Sequence, residues 1–447
     1  MFLNKRSVAA FLLLGLVTAP WLAPGKAEAI PAFSRQHKTE CSTCHTIYPE
    51  LNEFGDAFLK NSYLWPGRKG AIAPKGDQPE QSGAKGGPNE WAWISGLPEQ
   101  IPISFTGTAD LAYDNDALDG NQLDLSARSL RLHAGGAFRE AAGFFLTYNL
   151  YSQEDQSLTA LRGGSSPIGN PANSSNTPQN NTPNISEMFL LWRHALDTPV
   201  NLKVGRFEPK LSLWKRSNRV ILVPSYASTA YSVGNSPFSP DAPEDGVEVT
   251  ALIGNRLLLA GGVVDRNGQN HKDGYGHASL KIGGTDFKGH EPEVDLENDS
   301  VWDYLTITLG AFGYSGRNGQ FDTLGIARNL NEFYRVGGEI DVLYKRLHLK
   351  GGGTFGRDTN PLFAGIPAEF EGHAYAVEGE YYLGAPVDLI PLFRYEYQEG
   401  LNGGTRRYIP ALAYAPLQNT RLSLQYIHTE APEGTNKTAF ASLAFSL

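Results

Sequence analysis

From residue 101 to the C-terminus, apolar and polar side chains change places at every second position. Leu305, Ile307, Leu309 and Ala311 alternate with Thr306, Thr308 and Gly310. Val336, Ile340 and Val342 lie opposite Arg335, Glu339 and Asp341, and Leu347, Leu349 and Phe355 oppose His348, Lys350 and Thr354. A period of two with one apolar face specifies β-strands. Sixteen such segments fit the chain: 101–113, 123–138, 143–152, 185–196, 200–207, 246–253, 256–265, 275–283, 303–314, 332–344, 347–357, 373–384, 388–398, 408–415, 420–430 and 437–447. One set of alternate connections is short (139–142, 197–199, 254–255, 345–346, 385–387, 416–419). The other set is long and polar, notably 153–184 and 208–245. An even strand number, with short turns at one end and long loops at the other, predicts a closed transmembrane barrel of the outer-membrane type. Connection 284–302 is long where a short turn is expected, and implies a hidden strand or an excursion on that side.

The last strand agrees, since Ala441, Leu443, Phe445 and Leu447 form an outward apolar row. Charges of opposite sign on the polar faces suggest a wet interior. The alternative is a soluble sandwich or propeller. No fixed-period repeat recurs, however, and 20 Tyr, 22 Phe and 7 Trp suit interfacial girdles. An open sheet of this size would also leave edges that closure removes.

The N-terminal hundred residues follow another pattern. Lys5 and Arg6, the apolar run 9–17 and the small-x-small site Ala27-Glu28-Ala29 read as a cleavable export signal over 1–29. Pro20 and Pro24 interrupt the apolar run, which is short for a membrane anchor. Removing Lys5, Arg6, Lys26 and Glu28 with the signal turns 38 basic and 47 acidic residues into 35 and 46, a net charge of −11. That balance argues against nucleic acid or an anionic bilayer as a partner, since either would want a basic surface. Residues 30–65 form a compact segment, 66–100 a Gly/Pro-rich linker, and 101–447 the barrel.

The chemistry of the short segment lies in Cys41-Ser42-Thr43-Cys44-His45, which holds both cysteines of the chain. Two thiols at this spacing can add to the vinyl groups of one haem, and the following histidine is placed to ligate its iron. The pentad therefore predicts one covalent haem c, with Cys41 and Cys44 as attachment points and His45 as proximal ligand. A disulfide is the alternative for an exported cysteine pair, but it leaves His45 unexplained. Structural zinc would need four ligands, and there is no second cysteine pair. A segment of about 36 residues is below the size that usually folds alone. Pro49 together with Leu51, Phe54 and Phe58 predicts one amphipathic helix over 49–60, whose apolar stripe packs on the porphyrin. Gly55 would let backbone approach closely. Such a segment needs a surrounding wall, and a barrel lumen supplies one. The predicted architecture is thus all-β: a sixteen-stranded outer-membrane barrel plugged by a small haem c segment with a short helix.

For the distal iron position, His37 is the nearest candidate, and a water-bound or open site is the alternative. Met188 alternates with Leu190 and Trp192 and is expected to face lipid. Arg35 and Lys38 are candidate propionate partners. Asp114, Asp116, Asp119, Glu154 and Asp155 are loop carboxylates with hard oxygen donors that could attract Fe(II), or simply solvated acidic loops.

The run Pro31-Ala32-Phe33-Ser34-Arg35-Gln36, the pentad, and Pro49-Glu50-Leu51-Asn52-Glu53-Phe54-Gly55-Asp56-Ala57-Phe58 together resemble a known family. These are the fused monohaem cytochrome–porins of bacterial outer membranes, best known as iron(II) oxidases. Val204-Gly205-Arg206-Phe207-Glu208-Pro209 also resembles its relatives. The likeness is sharpest over 31–63 and 204–209. His37 departs from a Thr-like residue, and Leu59-Lys60-Asn61-Ser62-Tyr63 from a Gly-Tyr ending. The resemblance implies electron transfer from an extracellular donor, Fe(II) foremost, through one haem c to a periplasmic c-type cytochrome. Reduction of extracellular acceptors by the same architecture, or a diffusion porin with a structural or redox-sensing haem plug, are the alternatives. No catalytic residue beyond the haem site is identified.

Overall fold

The computed structural model describes residues 33, 39–60, 63, 103–114, 123–138, 142–152, 184–215, 218–221, 225–238, 240, 242–265, 271–292, 294, 297–321, 327–384 and 387–447. The export signal (1–29), the linker (66–100), Arg35, His37, Lys38, Asp116, Asp119, Glu154 and Asp155 lie outside the described residues.

Sixteen antiparallel strands close into one barrel: β3 (Ile103–Asp114), β4 (Leu123–Phe138), β5 (Ala142–Ser152), β6 (Asn184–Trp192), β7 (Val200–Phe207), β8 (Glu244–Ile253), β9 (Leu257–Asp265) and β10 (Asp273–Gly283), then β11 (Leu305–Phe321), β12 (Ala327–Tyr344), β13 (Leu347–Asp358), β14 (Phe370–Tyr381), β15 (Leu389–Gly400), β16 (Gly403–Tyr414), β17 (Thr420–Ala431) and β18 (Gly434–Ser446). Each strand pairs with its sequence neighbours, and β18 closes on β3. Every strand expected from the alternation is present, with ends shifted by a few residues. Connection 284–302 holds no strand among its described residues. It is a long excursion ending in a one-turn helix, α2 (Val301–Tyr304).

The outer face is apolar. Met188, Leu190 and Trp192 point out while Phe189, Leu191 and Arg193 point in, and Leu443 and Leu447 stand on the exterior as expected. Exposed Val247, Val263, Leu280, Leu309, Ile340, Leu349, Val377 and Phe393 continue this surface around the barrel. Near the short-turn end, Lys345 covers the rings of Tyr304 and Tyr344. Towards the loop end, Tyr375, Tyr397, Tyr395 and Tyr408 touch ring to ring. An apolar band between aromatic girdles is the surface of a barrel that crosses a bilayer. Among the described residues no helix is long and apolar enough to do so.

The interior departs from expectation. Charges on the inner face are paired across strands as predicted, because Asp341, Lys350, Glu378 and Arg394 stand in register on β12, β13, β14 and β15 with alternating sign. Yet the lumen there is packed, not wet: Arg335, Arg394 and Glu396 are 0 % exposed. The cause is the connection between β7 and β8, which folds back into the barrel as an inner loop. Leu211, Leu213, Trp214, Ile221, Tyr226, Tyr231 and Phe238 are all buried. So many large apolar side chains cannot remain in a solvated surface loop, and burial inside the barrel removes them from water.

Candidate haem site and lumen

The N-terminal segment that carries the Cys41–His45 pentad lies inside the lumen near the short-turn end. Cys41–Thr43 forms a single 3-10 turn, followed by a hairpin of β1 (His45–Ile47) and β2 (Glu50–Leu51) and by helix α1 (Glu53–Lys60). The helix expected over 49–60 is therefore shorter. Its first four residues belong to the hairpin and to Asn52, whose Oδ1 accepts the Gly55 N–H at 2.9 Å and caps α1. The Asn52 amide also donates to the Ser42 and Thr43 carbonyls at 3.1 Å, and its main-chain N–H donates to Cys44 O at 3.0 Å. One asparagine thus ties the cysteine turn to the helix start. Gly55 is required here, because a Cβ would collide with the Cys44 carbonyl oxygen.

The hairpin positions His45. Its Nδ1 lies 3.2 Å from the carbonyl oxygens of both Pro49 and Glu50. Carbonyls only accept, so Nδ1 carries the proton and Nε2 presents its lone pair, which is the state of a haem-ligating imidazole. Burial holds the ring below its usual pKa and hence neutral. Cys41 and Cys44 are not joined in a disulfide. The Cys44 thiol is pushed up to about 11, first by burial and then by Cys41, so at neutral pH it is not a reactive thiolate. Donor set, tautomer and close backbone packing all fit a covalent haem c on Cys41, Cys44 and His45.

Of the residues expected to pack on the porphyrin, Leu51 lines a cleft between the segment and the wall, and Phe54 is half-buried on α1. Phe58 is committed to an aromatic cluster, with its ring 5.2 Å from Phe33 and 5.9 Å from Tyr63. Tyr63 stacks on Phe145 at 5.6 Å, and Phe145 meets Phe189 at 5.8 Å, so this face of the segment rests on β5 and β6. Met188 stands on the exterior, 52 % exposed, and is no iron ligand. Asp114, at the loop end of β3, accepts from the Asn436 amide at 3.4 Å.

Charged contacts complete the docking. Glu50 Oε1 accepts from Lys350 Nζ at 3.0 Å, Glu53 Oε1 lies 3.1 Å from Lys281 Nζ, and the Cys41 N–H donates to Gln418 Oε1 at 3.3 Å. Burial alone would raise the Glu50 carboxyl; Lys350 and His348 outweigh it and hold it at about 2. Asp56 is likewise pushed up by burial but held below its ordinary range by Lys60 and Lys281.

Glu339, Asp341, His348 and Lys350 stand on the polar face that the alternation predicts, a face to which the sequence assigns no role. The inner loop reaches two of them: Ser212 Oγ and the Leu213 N–H donate to Glu339 at 2.7 Å, and Trp214 Nε1 donates to Asp341 Oδ2 at 2.5 Å. Only the register of β12 to β14 could have revealed this grouping.

No family model matches the chain, and no curated protein matches it. Among solved structures, the chain is similar to the outer membrane channel DcaP of Acinetobacter baumannii, at 11% identity over 78% of this chain and 97% of that one, with a TM-score of 0.49. It is similar to the anion-selective porin from Comamonas acidovorans at 10% identity over 78% of this chain and 100% of that one, TM-score 0.49. A loop L8 deletion mutant of OmpT, an outer membrane protein of Vibrio cholerae, shares 10% identity over 78% of this chain and 99% of its own, TM-score 0.48. At such low identity, the closed barrel described above carries the fold by its own geometry.

Proposed function

We propose that this chain is a bacterial outer-membrane electron-transfer protein with one haem c on Cys41, Cys44 and His45. In this reading it takes electrons from an extracellular donor, Fe(II), and delivers them to a periplasmic c-type cytochrome. The observation that carries it is the His45 ring, fixed through Nδ1 by two main-chain carbonyls inside a closed barrel. When bound, the haem supplies a one-electron Fe(III)/Fe(II) couple. The protein residues do the rest. The hairpin presents Nε2, the Asn52 clasp holds the cysteine turn, and Glu50 and Glu53 seat the segment against Lys350 and Lys281.

The packed lumen supports passage of electrons over passage of solutes. A diffusion pore keeps its inner charges hydrated, whereas Glu248, Arg335, Glu378, Arg394 and Glu396 are almost fully buried under the inner loop. Oxidation outside the cell also keeps the poorly soluble ferric product outside. The test is anoxic addition of Fe(II) to the purified, oxidised protein. Appearance of reduced-haem bands supports the assignment, and a haem that stays oxidised under excess Fe(II) removes it. A midpoint potential far below that of the iron couple would instead favour the reverse flow, to an extracellular acceptor. Planar-bilayer conductance of the full chain, unaffected by haem, would favour a porin.

A further inference from the structure

The register of the inner wall and the β1–β2 hairpin bring three potential metal ligands to one point. His348 on β13 pairs with Glu380 on β14, and Asp341 on β12 pairs with Lys350. His348 Nε2 lies 2.9 Å from Asp341 Oδ2, the oxygen that also receives Trp214 Nε1. Its other nitrogen, Nδ1, lies 3.4 Å from Glu50 Oε1 and 3.5 Å from Glu380 Oε1. One donor atom from each of Glu50, His348 and Glu380 falls within 4.8 Å of the others. An imidazole held by a carboxylate on one nitrogen and facing two carboxylates with the other is the build of a transition-metal site with its supporting shell.

A second observation comes from Glu380 itself. Its side chain is 2 % exposed, and its Oε2 has no hydrogen-bond partner. A buried carboxylate oxygen without a donor is costly unless a cation satisfies it. Lys350 Nζ supplies one positive charge to Glu50 Oε1 and Glu380 Oε1, the same two oxygens that face His348. Glu378 Oε1 also lies 3.5 Å from Lys350 Nζ, while its Oε2 accepts from Arg394 Nε at 2.6 Å. One ammonium therefore serves three carboxylates and leaves the second oxygen of Glu380 unmet.

We propose that Glu50, His348 and Glu380 bind a divalent first-row transition-metal ion, with Asp341 orienting His348 and Lys350 acting as the resident cation that the ion displaces. One imidazole and two carboxylates suit Fe(II), Mn(II) or Zn(II). Glu50 comes from the haem segment and the other two ligands from the wall, so the ion staples one to the other. Glu50 also offers its main-chain carbonyl to His45, which places the staple one residue from the support of the haem ligand. Binding needs a deprotonated Nδ1 and releases protons, so affinity falls as pH falls. The site requires neither a particular electron donor nor a direction of flow.

The test is Zn(II) calorimetry on the detergent-purified, haem-loaded full chain after chelator treatment. One ion per chain is expected. His348→Ala and Glu380→Gln should weaken it more than tenfold, and Asp341→Asn by about ten- to a hundredfold. Lys350→Met should tighten binding, because it removes the competing ammonium, and Zn(II) should then raise the unfolding temperature of that variant. Heat-modifiable migration on gels reports whether each variant folds; Glu380→Gln, the most conservative change, decides the matter where His348→Ala does not fold. Absence of stoichiometric binding in both the wild type and Lys350→Met overturns the proposal. So does binding that survives both His348→Ala and Glu380→Gln. Because Zn(II) binding is read without any redox step, its failure is distinct from failure of the electron-transfer assignment.

Discussion

Among the described residues, two segments without barrel strands occupy the lumen, and they are held in different ways. The inner loop is fastened by directed hydrogen bonds at its backbone and hydroxyls: Ser212 and the Leu213 N–H donate to Glu339, the Ala227 N–H donates to Glu396, and the Tyr231 carbonyl accepts from Arg335 Nε. Each partner is buried, so each bond would be expensive to leave unmade. The N-terminal segment is held mainly by side-chain charges, Glu50 to Lys350 and Glu53 to Lys281, and by an aromatic face. The first belongs to the barrel core. The second is a guest that brings its chemistry with it, and its internal order rests on Asn52, Gly55 and the His45 hairpin.

That distinction can be broken at either end. The largest effect is expected from Cys41→Ala with Cys44→Ala: covalent haem should be lost completely in a haem-staining gel, while the barrel keeps its heat-modifiable migration. A barrel that fails to assemble without the thiols would show the segment to be part of the core after all. Next comes Arg394→Met, on the opposite side of the comparison. Arg394 is 0 % exposed, donates to Glu378, and stacks on Tyr226 of the inner loop at 4.0 Å. Removing it strips the buried Glu378 of its closest cation and should cost about 3–5 kcal/mol. Denaturant unfolding should show that loss, with haem attachment to the folded fraction unchanged.

A smaller effect concerns pH. Asp56 on α1 is held below its ordinary range, so its folded pKa is depressed relative to the unfolded chain. Its contribution is then complete above the ordinary aspartate range of about 4 and is lost only as pH falls through the lower folded value. Limited proteolysis of residues 39–60 in the full chain should be constant from neutral pH to about 5, and rise only below about 4. Rising cleavage already at pH 6 would contradict this anchoring. The smallest effect is expected from Met188→Leu. This side chain faces outward, so the haem spectrum should not change, and a spectral shift would mean that β6 presents its other face.

Local chemistry set much of this in advance. Alternation along the chain located all sixteen strands, because a strand with one face in lipid must keep a period of two. The pentad is what proposes a haem c site, because vinyl addition and iron ligation demand those residue types at that spacing. Helix α1 was over-extended because Pro49 resembles a helix start, whereas the Asn52 cap and the carbonyls facing His45 govern where it begins. The inner loop was not legible: connection 208–245 reads as one of the long polar set, yet Leu211, Leu213, Trp214, Ile221, Tyr226 and Phe238 within it are buried. Nothing in its sequence indicates that it turns inward. The grouping of Glu50, Asp341, His348 and Glu380 was not legible either. It depends on the pairing of three strands and on where a segment some 300 residues earlier in the chain docks against them. Periodicity acts over a few residues, so sequence alone determined the strands. Which charges face one another in the lumen, and what seals them from water, depends on contacts between distant segments, and only the closed barrel decided that.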